Sequence, residues 1–171
     1  MDDYSSFTVS QGGDMTGTQC TLYTNLCQET DDADIPTGAI KEFPGIEAGK
    51  SFTLGSQEPK VDHAMVMNPD PSTVKLDTRQ EKLAKMCYFY HPDSKMHFET
   101  LSTEPAFQFY TGEYINATDA SGKKLYGPRT GFCVEASRYI NAPNVDKWRN
   151  MVVLKKGQKW GSKTVYRGWK A

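Results

Sequence analysis

Apolar residues along this chain come in short runs that alternate with polar ones, and clusters of Gly, Pro, Asn and Asp separate the runs. A period of two marks a strand with one buried face, and no stretch keeps the 3.6-residue spacing of a long amphipathic helix. Residues 18–24 (TQCTLYT) place Cys20 and Leu22 on one face. Residues 83–90 (LAKMCYFY) set Ala84, Met86, Tyr88 and Tyr90 against Leu83, Lys85, Cys87 and Phe89. Residues 96–101 follow after His91-Pro92-Asp93-Ser94-Lys95, a good turn sequence, so these two runs are predicted to form a hairpin. Further strands are predicted over 51–54, 64–67, 107–111, 132–135, 151–154 and 164–167, and a short helical turn over 77–84. Strands at this spacing, with turn signals between them, predict an all-β fold, an antiparallel β-sandwich. No repeat, low-complexity tract or linker interrupts the pattern, so residues 1–171 read as one domain.

Composition narrows the function classes. Twenty Lys and Arg stand against 21 Asp and Glu, a balance that predicts no nucleic-acid and no membrane partner. No apolar run approaches the roughly 20 residues that span a bilayer. The first residues (MDDYSSFTVSQGG) are acidic and polar, unlike a secretory or mitochondrial leader. Cys20, Cys27, Cys87 and Cys133 contain no CxxC pair, and they read as reduced thiols of a cytoplasmic protein. No zinc-ligand spacing is present either, so no structural zinc is expected. Asn116-Ala117-Thr118 matches a glycosylation acceptor, a motif too short to carry weight. Aromatics reach 12%, which suits strands and also suits sugar recognition, since Tyr and Trp combine an apolar face with a polar tip.

Three stretches carry candidate chemistry. In Glu104-Pro105-Ala106-Phe107-Gln108-Phe109-Tyr110-Thr111-Gly112, Gln108 must face opposite to its two phenylalanine neighbours, and its amide offers both a donor and an acceptor to a hydroxyl. Gly131-Phe132-Cys133-Val134-Glu135 is an apolar run that closes on a carboxylate able to act as a general base. Val61-Asp62-His63-Ala64-Met65-Val66-Met67 opens on an acid and an imidazole, which adjacent strand positions send to opposite faces, so they make a poor dyad. His91 and His97 lie at or near the predicted hairpin turn and are expected at the surface.

In order and spacing these segments resemble the aldose 1-epimerase (galactose mutarotase) family, over about residues 13–167. Ile35-Pro36-Thr37-Gly38 is similar to the family's IPTG turn, residues 104–112 to its P-x-x-Q-F-Y-T-G strand, and residues 131–135 to its G-F-C-x-E. Asn141-Ala142-Pro143-Asn144 and Lys163-Thr164-Val165-Tyr166 resemble the segments that follow, and the wording of residues 131–142 is similar to fungal members. The resemblance implies interconversion of the α and β anomers of free hexoses such as galactose and glucose, by acid and base ring opening without a cofactor. It assigns the general base to Glu135 and sugar-hydroxyl binding to Asp62 and Gln108. The family's general-acid histidine belongs in an N-H-x-Y-F-N segment, and the matching place here, Met1-Asp2-Asp3-Tyr4-Ser5-Ser6, holds none. The chain therefore reads as the C-terminal half of the family fold, with impaired activity alone, and with self-association or a complementary N-terminal half as its partner. The alternative is a catalytically inactive sugar-binding or regulatory module. A hexose-6-phosphate reading would need a basic pocket, for which Arg138 is the candidate.

Overall fold

The structure, a computed structural model, describes residues 14–170. The N-terminal place expected for the acid histidine lies outside the described residues. In chain order the strands are β1 (Gln19–Leu22), β2 (Leu26–Thr30), β3 (Pro36–Glu42), β4 (Ser51–Thr53), β5 (Asp62–Val66), β6 (Ala84–His91), β7 (Met96–Ser102), β8 (Ala106–Tyr110), β9 (Ala117–Thr118), β10 (Lys124–Tyr126), β11 (Cys133–Ser137) and β12 (Thr164–Lys170). They form two five-stranded sheets, β12-β7-β6-β1-β4 and β11-β8-β5-β2-β3, and a small β9-β10 ribbon. The strand pairs in both sheets are antiparallel, as the alternating pattern predicts.

The sheets pack face to face on Cys20, Leu22, Cys87 and Phe89 from one and Cys27, Met65, Phe107 and Phe109 from the other. Phe89 meets Phe109 at 5.7 Å and stacks on Phe132 at 4.3 Å between ring centroids. Burial drives the Cys20 thiol pKa well up and the Cys87 thiol to about 12, so both behave as small apolar groups. A second cluster lies on the far face of the β11-β8-β5-β2-β3 sheet. There Tyr139, Ala142, Trp148 and Met151 cover Val66 and Ala106.

That cluster explains a difference from the sequence expectation. Residues 151–154 are not a strand; Met151 ends a 3-10 helix, Asp146–Met151, whose Trp148 and Met151 are buried over the sheet. Of the apolar run Met151-Val152-Val153-Leu154 only Met151 is buried, at the end of that helix, and Val153 and Leu154 are exposed. The helical turn expected over 77–84 reduces to a turn at Thr78–Glu81, and Pro71–Thr73 instead makes a short 3-10 helix capped by Asp70. Pro36-Thr37-Gly38 opens strand β3, and the turn precedes it at Asp34, whose φ is 60°.

His91 and His97 are not free surface residues. His91 is buried, with Nε2 3.4 Å from the Thr16 carbonyl oxygen. His97 stacks on Trp169 at 5.0 Å, and its Nδ1 lies 2.6 Å from the Tyr88 hydroxyl. Strand register causes this: Trp169, His97 and Tyr90 stand side by side across β12, β7 and β6, so ring packing covers the imidazole.

Candidate functional site

Directly opposed residues of an antiparallel pair share a face, and alternate residues along each strand do too. In the β11-β8-β5 ladder Glu135 faces Gln108, and Gln108 faces Ala64. The next row on the same face is Cys133, Tyr110 and Asp62. Phe107, Phe109, Met65, Val134 and Ala136 take the other face and enter the core, so Gln108 is turned away from it, as its phenylalanine neighbours predict. The 3-10 segment covers only the Val66 and Ala106 end, which leaves Asp62, Gln108 and Glu135 on the open end of one face.

Gln108 Nε2 donates to Asp62 Oδ1 at 2.7 Å, which orients both side chains. Gln108 Oε1 is buried and has no hydrogen-bond partner among the described residues, which leaves one acceptor of the amide unused. Beside them opens a cavity of about 310 Å³ lined by Asp62, Gln108, Asp34, Lys60, Glu113 and Tyr114, among others. Glu135 stands outside that cavity, exposed, on the edge strand of the sheet. The arrangement places a fixed carboxylate–amide pair beside a second, accessible carboxylate, a set that accepts strong hydrogen bonds from hydroxyls and takes up a proton.

Sequence reasoning missed the aromatic wall of this face. Tyr110 lies two residues past Gln108 and so shares its face. Its hydroxyl oxygen accepts the Tyr114 amide at 2.6 Å, and the Tyr114 ring stacks on it at 6.4 Å with 15° between planes. The period of two from Gln108 would have found Tyr110; Tyr114 sits in a loop and leaves no such signal. His63 takes the opposite face from Asp62, edge-on to Phe43 at 5.0 Å, so the sequential Asp-His forms no dyad. Partial burial lowers the His63 pKa, and the neighbouring Asp62 opposes that shift. Among the described residues no group of three or more His, Cys, Asp or Glu is arranged to hold a metal ion.

Arg138, the candidate phosphate anchor, is committed elsewhere. Its Nε lies 3.2 Å from Glu104 Oε2 and its Nη2 donates to the Leu76 carbonyl at 3.0 Å, both within the protein.

The family model described as aldose 1-epimerase matches residues 5–167. The chain is 36% identical to the bifunctional protein GAL10 of Pachysolen tannophilus over 168 residues, 98% of this chain and 22% of that protein. It is 24% identical to the galactose mutarotase of Rattus norvegicus, over 98% of this chain and 48% of that one. The solved GalM/aldose epimerase homologue from C. elegans superimposes with a TM-score of 0.72 at 15% identity, covering 93% of this chain and 48% of the other. The chain thus spans about a fifth to a half of the length of these relatives.

Proposed function

The chain belongs to the aldose 1-epimerase family, and from that premise we propose that its open sheet face binds a free hexose such as galactose and serves the interconversion of its α and β anomers. The observation that carries this reading is the shared face of Asp62, Gln108 and Glu135, with Asp62 and Gln108 hydrogen-bonded and Gln108 Oε1 unclaimed. Ring opening needs a base at the C1 hydroxyl and an acid at the ring oxygen; rotation about C1–C2 and the reverse transfers then close the other anomer. Glu135 takes the proton of the C1 hydroxyl in this scheme as the bond from C1 to the ring oxygen breaks, and Asp62 and Gln108 hold hydroxyls across the ring. His63 lines the cavity beside Asp62 but stands on the opposite strand face, edge-on to Phe43, so among the described residues no imidazole shares the face of Asp62, Gln108 and Glu135 to act as the ring-oxygen acid. A positioned acid contributes about 10²–10⁴-fold, and activity of this chain alone is reduced by that order.

Polarimetry of freshly dissolved α-galactose tests the reading. Wild-type protein relaxes the rotation faster than buffer, while Glu135→Ala falls to the buffer rate and still binds the sugar. Galactose binding with no acceleration in wild type assigns the chain instead to the second reading, a sugar-binding module, which the placement of His63 on the opposite strand face from Asp62 favours. No binding at all would end both.

The reading extends to the molecule's edges. β11 and β12 end their sheets on the same side, where Tyr166 caps the gap by donating its hydroxyl to the Val134 carbonyl at 3.2 Å while remaining 54% exposed. Phe98, Phe132 and Val134 behind it are only partly buried. On the other side residues 43–50 join β3 to β4 and bring Phe43 and a buried Ile46 into the core. Unpaired strand edges over a half-covered core recruit further strands. The isolated chain is therefore expected to sediment as a dimer or larger species, or to pair with a complementary half of the fold. A stable monomer with a cooperative melt would count against this. Four free cysteines, none in a disulfide, fit a reducing compartment such as the cytoplasm.

A further inference from the structure

Asp62 is the first residue of β5 and is exposed, and terminal ladder residues fray. Its side chain accepts the bond from Gln108, and its place relative to the site depends on what fixes the backbone just before it. That backbone is held by a buried polar relay. The Val61 amide donates to Thr111 Oγ1 at 2.8 Å, and the Thr111 amide donates back to the Val61 carbonyl at 2.8 Å. The Thr111 hydroxyl donates to Glu113 Oε1 at 2.6 Å, and Arg129 Nη1 donates to the same oxygen at 2.6 Å. Arg129 is 3% exposed, and its guanidinium also donates to the carbonyls of Gly55, from Nε at 3.1 Å and Nη2 at 2.9 Å, and of Pro59, from Nη1 at 3.1 Å.

One fork therefore ties the loop that leads into β5 to the segment that leaves β8, the strand carrying Gln108. Arg129 adopts a left-handed φ of 62°, a conformation uncommon for a bulky residue and retained where its surroundings over-determine it. Such a burial of charge is well satisfied and specifies geometry more than stability.

We propose that Thr111, Glu113 and Arg129 are positioning residues that set Asp62 against Gln108 for sugar binding. The proposal rests on the hexose reading of the site. Thr111 acts through Val61, Glu113 through Thr111, and Arg129 through Glu113 and the 55–59 loop; Glu113 also lines the cavity, and exchange at the Val61 and Thr111 amides separates positioning from direct contact with the sugar.

The test pairs disruptive with conservative variants and reads two quantities, the galactose dissociation constant and hydrogen exchange at the Val61 and Thr111 amides. Glu113→Ala removes the acceptor and is expected to weaken galactose binding roughly tenfold, the loss of one well-placed hydrogen bond, and to speed exchange at both amides. Glu113→Gln keeps an acceptor oxygen and restores both quantities to within about threefold of wild type. Thr111→Val against Thr111→Ser repeats the comparison at the other end of the relay, and either pair suffices if one variant fails to fold. Galactose binding by Glu113→Ala equal to wild type overturns the proposal, as does a loss in Glu113→Gln as large as in Glu113→Ala. If wild type binds no galactose, the hexose reading fails by itself. The exchange arm then decides the relay: faster exchange in Glu113→Ala that Glu113→Gln reverses upholds the positioning of this segment, and unchanged exchange overturns it.

Discussion

Replacing Gly112 with alanine is expected to destabilise the protein by roughly 2–5 kcal/mol, the sum of two separable penalties. The first is conformational: Gly112 has φ +79°, and an L side chain there costs about 1–2 kcal/mol. The second is steric. A Cβ would stand 2.3 Å from the Gly131 carbonyl oxygen and 3.0 Å from Ile115 Cδ1, and backbone cannot yield as the end of a side chain can. Overpacking of this kind costs about 1–3 kcal/mol. For a chain of this size the melting temperature falls by roughly 5–15 °C. Gly49→Ala isolates the first penalty, because Gly49 has φ +76° with nothing within 4 Å of its would-be Cβ. Equal melting temperatures for the two variants would show that the close approach to Gly131 costs nothing. The approach also matters to the site: Gly112 follows β8 with Gln108, Gly131 precedes β11 with Glu135, and the Arg129 amide donates to the Gly112 carbonyl at 2.8 Å. Forcing the two glycines apart shifts Glu135 relative to Gln108, so sugar binding weakens alongside stability.

What could be read from the residues alone follows from where burial is one-sided. β6, β8 and β11 each have a core face and a different opposite face, so their alternation is visible, and with it the opposition of Gln108 to Phe107 and Phe109. β2 and β3 escaped notice because their compensation is tertiary. Gln28 is almost fully buried in β2, a position where a polar residue argues against a strand core. It is satisfied by donating to the Ile140 carbonyl at 3.1 Å and accepting the Ile140 amide at 2.8 Å, across 112 residues. No local window contains that exchange. The same holds for the site. Which face Asp62, Gln108 and Glu135 occupy depends on alternation within each strand, whereas the 2.7 Å bond between Asp62 and Gln108 depends on the β5–β8 register. The family resemblance supplied the three residues; the register supplies the reason Asp62 and Gln108 meet and Glu135 shares their face. Arg129 left no trace at all, since a charged residue between Pro128 and Thr130 reads as a solvated loop and is nonetheless buried by carbonyls from residues 55 and 59.

Arg138→Met is expected to cost roughly 3–5 kcal/mol, because it leaves the Glu104 carboxylate buried without its cation. Both partners are buried, Glu104 5% and Arg138 8% exposed, and burial pulls the arginine pKa down while Glu104 opposes that shift. The pair is imperfect: Arg138 Nη1 and Nε and Glu104 Oε2 form no hydrogen bond of good geometry, although Nε and Oε2 lie 3.2 Å apart. Replacing both at once, Arg138→Met with Glu104→Leu, is therefore expected to recover most of the loss, since exchanging a buried ion pair for apolar groups of similar volume is often neutral. Denaturant melts of the two single variants and the double variant measure the coupling directly. The same variants address substrate class. An arginine buried beside Glu104 and the Leu76 carbonyl presents no accessible fork to a phosphate, so wild type is expected to bind galactose 6-phosphate no more tightly than galactose. A folded Arg138→Met protein that loses the phosphorylated sugar selectively would reverse that assignment, because it would place the guanidinium at the ligand instead of inside the fold.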